Sequence, residues 1–375
     1  MLIGVPKEIK TKEFRVGLTP TSVREVVGRG HSVIVETNAG MGINYSDDDY
    51  LAAGAEIAAS AAEVFEKADM IVKVKEPQPV ETAMLRPDQI LFTYLHLAAD
   101  PVQADGLEKS GCIAIAYETV TDNEGRLPLL APMSEVAGRM ATMVGCNVLM
   151  KPAGGRGVLL GGVPGVAPAK VTIIGGGVSG THAMRMAIGL GAEVTVLDRN
   201  LNRLKEIDEL FGNQVKTVYS TSEAVEQHCV EADLVIGTVL IPGASAPKLV
   251  TREILKKMRP GSVIVDVAID QGGCCETSRP TTHEDPTFVE EEVVHYCVAN
   301  MPGGVPHSST HALNNATLPF VLQIADKGVW KALEDNPHLL NGLTVAKGKQ
   351  TYEAVAEALD RPYTPAFEFI NQIAA

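Results

Sequence analysis

This sequence of 375 residues lacks several features, and each absence excludes a class of protein. Its 6 cysteines form no CxxC motif, so we expect neither a zinc site nor a disulfide framework, and no bound metal. The longest uncharged stretch, residues 157–169, is shorter than the ~20 apolar residues that span a bilayer. Charged residues between positions 7 and 12 interrupt any signal peptide. These absences predict a reduced, cytoplasmic protein.

Positive charge is also in deficit, because 32 Lys and Arg residues stand against 46 Asp and Glu residues, for a net charge of -14. An acidic surface repels phosphate backbones and anionic lipid head groups, so we expect neither nucleic acid nor a membrane as a partner. Hydrophobic residues at 45% and charged residues at 21% are typical of globular chains. The length predicts two domains.

Short β-rich apolar runs alternate with longer helical patterns, which indicates parallel sheets built from βαβ units. The runs fall into two series, separated by residues 127–168, in which residues 134–150 predict a helix with Ser134 as its N-cap. The region after the last strand predicts helices at 310–327, interrupted by Pro319, and at 351–359, with no new strand series. The predicted strands are 2–5, 32–36, 70–75, 90–95, 113–117, 171–174, 193–197, 215–219, 234–239, 262–267 and 293–298.

We therefore predict an α/β fold with two doubly wound, Rossmann-like domains, each with a parallel sheet, joined by crossing helices. The helical C-terminal region is assigned back to the first domain. The predicted domains are residues 1–128 with 307–375, which are discontinuous, and residues 129–306.

The strongest local signal is a glycine-rich turn between a predicted strand and a predicted helix. Gly175, Gly177 and Gly180 fit the GxGxxG pattern in the strand, turn and helix context that dinucleotide binding requires. The first glycine permits the tight turn, the second lets the backbone approach a pyrophosphate, and the third allows close packing of helix on strand. Asp198, at the end of the next strand, is placed to accept hydrogen bonds from the adenine ribose. Its charge favours NAD over NADP, although Arg199 beside it leaves NADP open.

Polar residues follow several predicted strands, where ligands bind in open parallel sheets. They are Lys75, His96, Asp270 and Asn300. The first three also have a structural interpretation: Lys75, which shares a strand face with Lys73, as a solvated edge residue; His96 as a core histidine; and Asp270 as the cap of a glycine turn. Arg15, in the segment at 13–20, could likewise be a surface charge.

Six segments together resemble the alanine dehydrogenase family from end to end. They are GVPKE at 4–8, EFRVGLTP at 13–20, VKEP at 74–77, LHL at 95–97, LLAPMSEVAGR at 129–139 and VAIDQGG at 267–273. Because these segments are long and follow one another in order, the resemblance is more specific than the glycine motif alone. It implies a substrate domain at 1–128 with 307–375 and an NAD-binding domain at 129–306.

The resemblance also implies roles for individual residues. Arg15 and Lys75 are expected to bind the substrate, and His96 and Asp270 to act as acid and base. Some relatives have lysine at the position of Arg203. The arginine of this chain keeps the positive charge, but its guanidinium offers a forked pair of donors where lysine offers a single ammonium group. The implied cofactor-binding residues are Ser134, Gly175, Gly177, Val178, Ser179, Gly180, Asp198, Arg203, Ser220, Val239, Leu240, Val267, Ala268, Ile269, Asp270, Arg279, Val298, Ala299, Asn300 and Met301.

The implied activity is the reversible conversion of L-alanine, water and NAD into pyruvate, ammonium and NADH, in a homohexamer. Three alternatives stay open: the nucleotide-binding part of a transhydrogenase, a related opine or lysine-pathway dehydrogenase, and a non-catalytic NAD-binding sensor. NADH formation from L-alanine distinguishes the implied dehydrogenase from the sensor, and tests with larger amino acids and 2-oxoglutarate distinguish it from the opine and lysine-pathway dehydrogenases.

Overall fold

The computed structural model describes residues 1–239 and 246–374 of the chain. It divides the chain into two compact units. The first unit is Met1–Pro132 with Val305–Ala375, and the second is Met133–Gly304. The strands are β1 Leu2–Val5, β2 Ser32–Glu36, β3 Glu56–Ala58, β4 Met70–Val72, β5 Ile90–Thr93, β6 Ile113–Ala116, β7 Lys170–Ile174, β8 Glu193–Asp198, β9 Val215–Tyr219, β10 Leu234–Gly237, β11 Val263–Asp266, β12 Thr287–Glu290, β13 Val293–Tyr296, β14 Leu343–Ala346 and β15 Lys349–Gln350.

The strands described in the first unit form an eight-stranded sheet in the order β15-β14-β6-β5-β4-β1-β2-β3. From β6 to β3 all neighbouring strands are parallel. Every residue of β4, β5 and β6 is buried, as is typical of parallel strands covered on both faces. The strand order reverses between β1 and β4, and such a switch point is where open α/β sheets bind ligands.

The strands described in the second unit form a seven-stranded sheet in the order β12-β13-β11-β10-β7-β8-β9. All its pairs are parallel except β12 with β13. Its switch point lies between β7 and β10, and the loop with the three spaced glycines follows β7.

The prediction of an α/β fold with two Rossmann-like domains is confirmed, and both sheets are mostly parallel, with antiparallel strands at one edge of each. In the first sheet β14 runs antiparallel to β6 and β15 antiparallel to β14, and both come from the C-terminal region for which no strand was predicted. In the second sheet β12 turns back onto β13 through Glu291 and Glu292, whose φ values are 48° and 60°. Two glutamates are not the Asn-Gly or Gly residues that signal such a turn in a sequence.

Helices fill the connections, and several begin at a side chain that caps their free N–H groups. Thr19 caps α1, Ser60 caps α3, Asp100 caps α5 and Thr221 caps α9. The helices are α1 Pro20–Gly28, α2 Asp47–Ala52, α3 Ala61–Lys67, α4 Pro79–Thr82, α5 Pro101–Ser110, α6 Ala131–Val148, α7 Val178–Gly189, α8 Leu201–Phe211, α9 Ser222–Glu231, α10 Arg252–Leu255, α11 Pro306–Lys327, α12 Val329–Asp335, α13 Pro337–Leu340, α14 Glu353–Ala358 and α15 Ala366–Ala374. Among the helices of residues 1–239 and 246–374, none is long and apolar enough to cross a membrane.

Two helix predictions need correction. Helix α6 begins at Ala131, so Ser134 lies inside its first turn and is not the N-cap. Pro132 is tolerated at this point because the first N–H groups of a helix need no intrahelical partner. Helix α11 continues through Pro319 without interruption. Thr317 and Val321 on either side are fully buried, and this packing offsets the ~3 kcal/mol that an internal proline costs.

Candidate active site

The connection that follows β1 carries Arg15, which is almost completely buried. Its guanidinium binds the buried carboxylate of Glu13 through two parallel hydrogen bonds, Nε to Oε1 at 2.7 Å and Nη2 to Oε2 at 2.6 Å. Burial raises the pKa of Glu13, but the hydrogen bonds and charge of Arg15 outweigh it, so that the pKa lies below its ordinary value. Both groups therefore stay ionised at neutral pH. Sequence reasoning named Arg15 and missed Glu13.

Lys75 lies just beyond β4, on the other side of the switch point from the connection that carries Arg15. Its charge and that of Arg15 both lower the pKa of Glu13, so the two cations are neighbours of one carboxylate. Lys75 is half-buried and follows a central strand, so it is not a solvated edge residue. Lys73 was expected to share the strand face of Lys75. It is fully buried, and its Nζ donates to Glu8 at 3.1 Å and to Glu81 at 2.7 Å.

His96 follows β5, and its side chain is 50% exposed, so the interpretation as a buried core histidine is wrong. Its backbone has φ 51°, a left-handed conformation that is uncommon outside glycine and asparagine. The carboxylate of Glu118, just beyond β6, accepts the backbone N–H of His96 at 2.6 Å. The ring of Tyr94 lies parallel to the imidazole, with the ring centroids 5.8 Å apart. These contacts hold the imidazole at the carboxyl edge of the sheet.

Four adjacent parallel strands thus place polar groups at one edge of the first sheet. Tyr94 links them, because its hydroxyl senses the charges of both Arg15 and Glu118 while its ring stacks on His96. Burial raises the pKa of Tyr94, and its hydroxyl donates to the Leu129 carbonyl at 2.5 Å. Neither Tyr94 nor Glu118 was predicted. A signal was available, since both follow buried strands at the same edge.

In the second unit, the glycine-rich turn has the geometry that its spacing predicts. Gly175 has φ 101°, which a residue with a side chain rarely adopts. A Cβ atom on Gly180 would lie 2.0 Å from the Gly175 carbonyl oxygen, so only glycine permits this packing. A Cβ atom on Gly177 would meet no atom of the described residues within 4 Å. Space is therefore open at the middle glycine, at the N-terminus of α7, as the pyrophosphate of a dinucleotide requires.

Asp198 ends β8 next to this turn. Its Oδ2 accepts the Gly176 N–H at 2.7 Å, and its Oδ1 accepts the Asn200 N–H at 2.8 Å. Arg203 on α8 donates through Nε to the Gly176 carbonyl at 2.5 Å, and this hydrogen bond holds the turn in place. The hydroxyl of Ser179 on α7 donates to the carbonyl of Ser134 on α6 at 2.9 Å. The structure brings these predicted residues together around one turn.

Other predicted cofactor residues lie at the same carboxyl edge, beyond the neighbouring strands. Ser220 follows β9 and lines a cleft of about 240 Å³, together with Arg199, Val225, Lys248, Leu249 and Ile254. Val239 is half-buried beyond β10, and Leu240 lies outside the described residues. Val267, Ala268, Ile269 and Asp270 lie in a short 3-10 helix beyond β11, with Asp270 exposed. Val298, Ala299, Asn300 and Met301 follow β13.

Arg279, also predicted to bind the cofactor, contacts an aromatic side chain, and its guanidinium lies 4.1 Å from the centroid of the Phe288 ring. Lys248 was not predicted. Its Nζ donates to the carbonyl oxygens of Gly272, Gly273 and Cys275, with distances of 2.9 Å for Gly273 and 3.2 Å for Cys275. Lys248 therefore closes the turn that follows Asp270.

Comparison with known proteins identifies the family. Residues 4–137 match the model of the N-terminal domain of Alanine dehydrogenase/PNT, and residues 141–353 match the model of its C-terminal domain. The chain belongs to the alanine dehydrogenase/PNT family. The alanine dehydrogenase of Halomonas elongata is 60% identical to it over 371 residues, which cover 99% of this chain and 100% of that protein.

Solved structures agree with this assignment. A structure of an L-alanine dehydrogenase superposes with a TM-score of 0.93 at 52% identity, and the match covers 96% of this chain and 99% of the other. A transhydrogenase from Sinorhizobium meliloti superposes with a TM-score of 0.81 at 24% identity, covering 94% of this chain and 100% of the other. At that identity the likeness concerns the fold alone. The transhydrogenase alternative is therefore less well supported than an alanine dehydrogenase. Membership of the alanine dehydrogenase family implies a nicotinamide cofactor.

Proposed function

We propose that this chain is an NAD-dependent L-alanine dehydrogenase. It catalyses the reversible reaction of L-alanine, NAD⁺ and water to give pyruvate, NH₄⁺, NADH and H⁺. The observation that carries this proposal is that Arg15 and Lys75 follow the two strands beside the switch point of the first sheet, with His96 following the next strand. A guanidinium, an ammonium and an imidazole at one sheet edge suit a small amino acid or oxo acid.

Arg15 and Lys75 bind the substrate carboxylate in this proposal. A guanidinium offers several N–H donors in a planar fork that matches a carboxylate. Glu13 orients that fork by holding Nε and Nη2, and its own pKa stays low because of Arg15. A protonated Lys75 also polarises the carbonyl oxygen of pyruvate in the reverse direction.

His96 and Asp270 carry the protons. Hydride leaves the alpha carbon only when the amino group is neutral, and the resulting iminium must then add water and release ammonia. Neutralisation of the amino group, addition of water and release of ammonia each move a proton, which a positioned imidazole can accept or donate. Glu118 and Tyr94 fix the position of His96. Asp270, exposed in its 3-10 helix, orients water or ammonia.

A bound nicotinamide cofactor would supply the hydride acceptor, and the residues of the second unit suit a dinucleotide. The open space at Gly177 leaves room for the pyrophosphate beside the free N–H groups of α7. Asp198 supports NAD over NADP, because a carboxylate repels a 2′-phosphate. The other residues that we propose to contact the cofactor are Ser134, Gly175, Val178, Ser179, Gly180, Arg203, Ser220, Val239, Leu240, Val267, Ala268, Ile269, Asp270, Arg279, Val298, Ala299, Asn300 and Met301.

We also propose that the protein acts in L-alanine catabolism in the cytoplasm, as a homohexamer. The basis is the resemblance to the alanine dehydrogenase family, together with 6 cysteines whose spacing predicts no disulfide framework.

A spectrophotometric panel tests the proposed activity. The purified chain is mixed with NAD or NADP and one of L-alanine, L-serine, L-2-aminobutyrate, L-lysine or L-glutamate at alkaline pH, and absorbance at the NADH wavelength is followed. We expect rapid NADH formation with L-alanine and NAD, and the reverse reaction with pyruvate, ammonium and NADH. Binding of NAD with no absorbance change for any substrate would contradict the proposal and favour the sensor. Preference for L-lysine or L-glutamate would favour a related dehydrogenase.

A further inference from the structure

A fully buried cluster of three charged side chains lies behind the carboxyl end of β4 in the first unit. Lys73 donates to two carboxylates, Glu8 and Glu81, and all three side chains are at most 2% exposed. Burying charges is costly, and a buried ion pair contributes little net stability compared with apolar residues of the same size. The cluster therefore indicates a role beyond stability.

The two carboxylates of this Glu8–Lys73–Glu81 cluster have different second partners. Glu8 uses Oε2 for Lys73, and its Oε1 accepts the backbone N–H of Val74 at 2.6 Å and of Lys75 at 3.3 Å. Glu81 uses Oε1 for Lys73, and its Oε2 accepts the Gln78 N–H at the start of α4 at 2.8 Å. Only Glu8 of the two thus contacts the backbone that carries Lys75.

Glu8 also influences the neighbouring substrate-binding groups through its charge. Burial raises the pKa of Glu8, and the charge of Lys73 and the Val74 N–H oppose this rise. In its ionised form Glu8 raises the pKa of Arg15. A single carboxylate therefore fixes the chain at Lys75 and lies within electrostatic reach of Arg15.

We propose that Glu8, anchored by Lys73, is a positioning residue for Lys75 and sets the affinity of the site for the substrate carboxylate. This inference rests on the proposed function, in which Lys75 and Arg15 bind that carboxylate. Glu8 itself does not touch the substrate. Its two N–H acceptor contacts hold the Val74–Lys75 backbone in place, and the ammonium of Lys73 keeps the Glu8 carboxylate from rotating away.

Glu8→Gln and Glu81→Gln form a matched pair that separates positioning from stability. Each substitution removes one carboxylate from Lys73 at a buried position, so both are expected to lower the unfolding temperature. Only Glu8→Gln changes a group that contacts the Lys75 backbone. A glutamine has one acceptor oxygen, so its NH₂ group must face either the Lys73 ammonium or the Val74 and Lys75 N–H groups, and one set of contacts is lost. We expect it to raise KM for L-alanine and pyruvate about tenfold, as loss of one charge-assisted hydrogen bond would, with KM for NAD unchanged. Glu81→Gln should leave all three KM values unchanged.

Glu8→Asp provides a second variant should Glu8→Gln fail to fold. It keeps the charge next to Lys73 but is one methylene too short to reach the Val74 and Lys75 N–H groups in the same way. We expect it also to raise KM for L-alanine. Wild-type KM in a folded Glu8→Asp, or equal KM changes in Glu8→Gln and Glu81→Gln, would overturn the inference.

Failure of the inference differs from failure of the proposed function. Pyruvate affinity of the NADH-loaded protein is measured by calorimetry for wild type and each variant. A wild-type chain that neither binds pyruvate nor oxidises L-alanine contradicts the proposed function. A wild-type chain that does both, with Glu8→Gln indistinguishable from it, contradicts only the role of Glu8.

Discussion

The backbone of Gly180 packs against the carbonyl oxygen of Gly175, and a Cβ atom on Gly180 would lie 2.0 Å from that oxygen. Gly177, between them, differs because its Cβ position is open among the described residues. The glycines of one motif thus serve two purposes. Gly175 and Gly180 build the turn, whereas Gly177 leaves space outside it.

Gly177→Ala and Gly180→Ala should therefore fail in different ways. Gly180→Ala must displace backbone, so we expect a loss of ~1–3 kcal/mol in the free energy of unfolding. Gly177→Ala should retain the wild-type unfolding temperature and bind NAD at least tenfold more weakly, because the new methyl group occupies the space for the pyrophosphate. Thermal unfolding and NAD titration measure the two effects. A destabilised Gly177→Ala with normal NAD affinity would contradict this division.

The relation between sequence and structure is clearest at the strand ends. Lys75, His96 and Asp198 were predicted because buried β-rich runs precede them, and parallel strands place their carboxyl ends at one edge. Glu8, Glu13 and Glu118 were not predicted, since each acts through contacts with residues that the fold brings next to it. The pattern of apolar residues predicts where a strand ends, but it does not predict which residue will contact a buried charge in the folded chain.

The antiparallel edge strands were missed for a different physical reason. Strands β14 and β15 are short and joined by Lys347 and Gly348, both with positive φ, and Lys347 is not a residue that signals such a turn. Helix α11 was predicted to be interrupted because proline disfavours a helix locally. Tertiary packing of its buried face overrides that local preference.

Asp198→Asn tests the preference for NAD over NADP. The amide oxygen of asparagine can still accept the Gly176 N–H, so the turn should keep its structure while the negative charge is lost. We expect the ratio of kcat/KM for NAD to that for NADP to fall about tenfold, because repulsion of the 2′-phosphate is removed. Asp208→Asn, at an exposed position on α8, is the control. An unchanged ratio in Asp198→Asn would mean that Asp198 does not select the cofactor.

Arg15→Lys tests the carboxylate fork. Lysine keeps the positive charge but offers no planar pair of donors, and it cannot reproduce both hydrogen bonds to Glu13. We expect KM for L-alanine and pyruvate to rise at least tenfold, with no change in KM for NAD. Arg24→Lys, exposed on α1, should behave as wild type. If steady-state kinetics show wild-type KM values for both substrates in Arg15→Lys, Arg15 does not bind the substrate carboxylate.

His96→Asn tests the acid–base role. Asparagine tolerates the left-handed backbone at this position better than alanine does, so the loop and the Glu118 contact should be retained. Loss of a positioned general acid–base group lowers turnover by about 10²–10⁴. We expect such a fall in kcat for both directions, with NAD binding preserved. His228→Ala on α9 serves as the control variant, and a normal kcat in His96→Asn would assign the proton transfers to other groups.

The pH dependence of stability should report the Glu13–Arg15 pair. The carboxyl of Glu13 has an ordinary pKa of 4.5, and its pKa in the folded chain lies lower because Arg15 outweighs the effect of burial. The folded state therefore gains stability from ionised Glu13 above about pH 4.5, and this gain is lost as the pH falls through the lower, folded pKa. Glu13→Gln should be less stable than wild type by about 3 kcal/mol at pH 7, since it leaves the buried Arg15 unpaired. This difference in the free energy of unfolding should narrow as the pH falls below 4.5.

Urea unfolding at a fixed protein concentration between pH 3 and pH 7 measures the difference between wild type and Glu13→Gln. Glu56→Gln, exposed on β3, is the control. A difference that stays constant across this range would show that the ionised pair does not account for the stability of this segment.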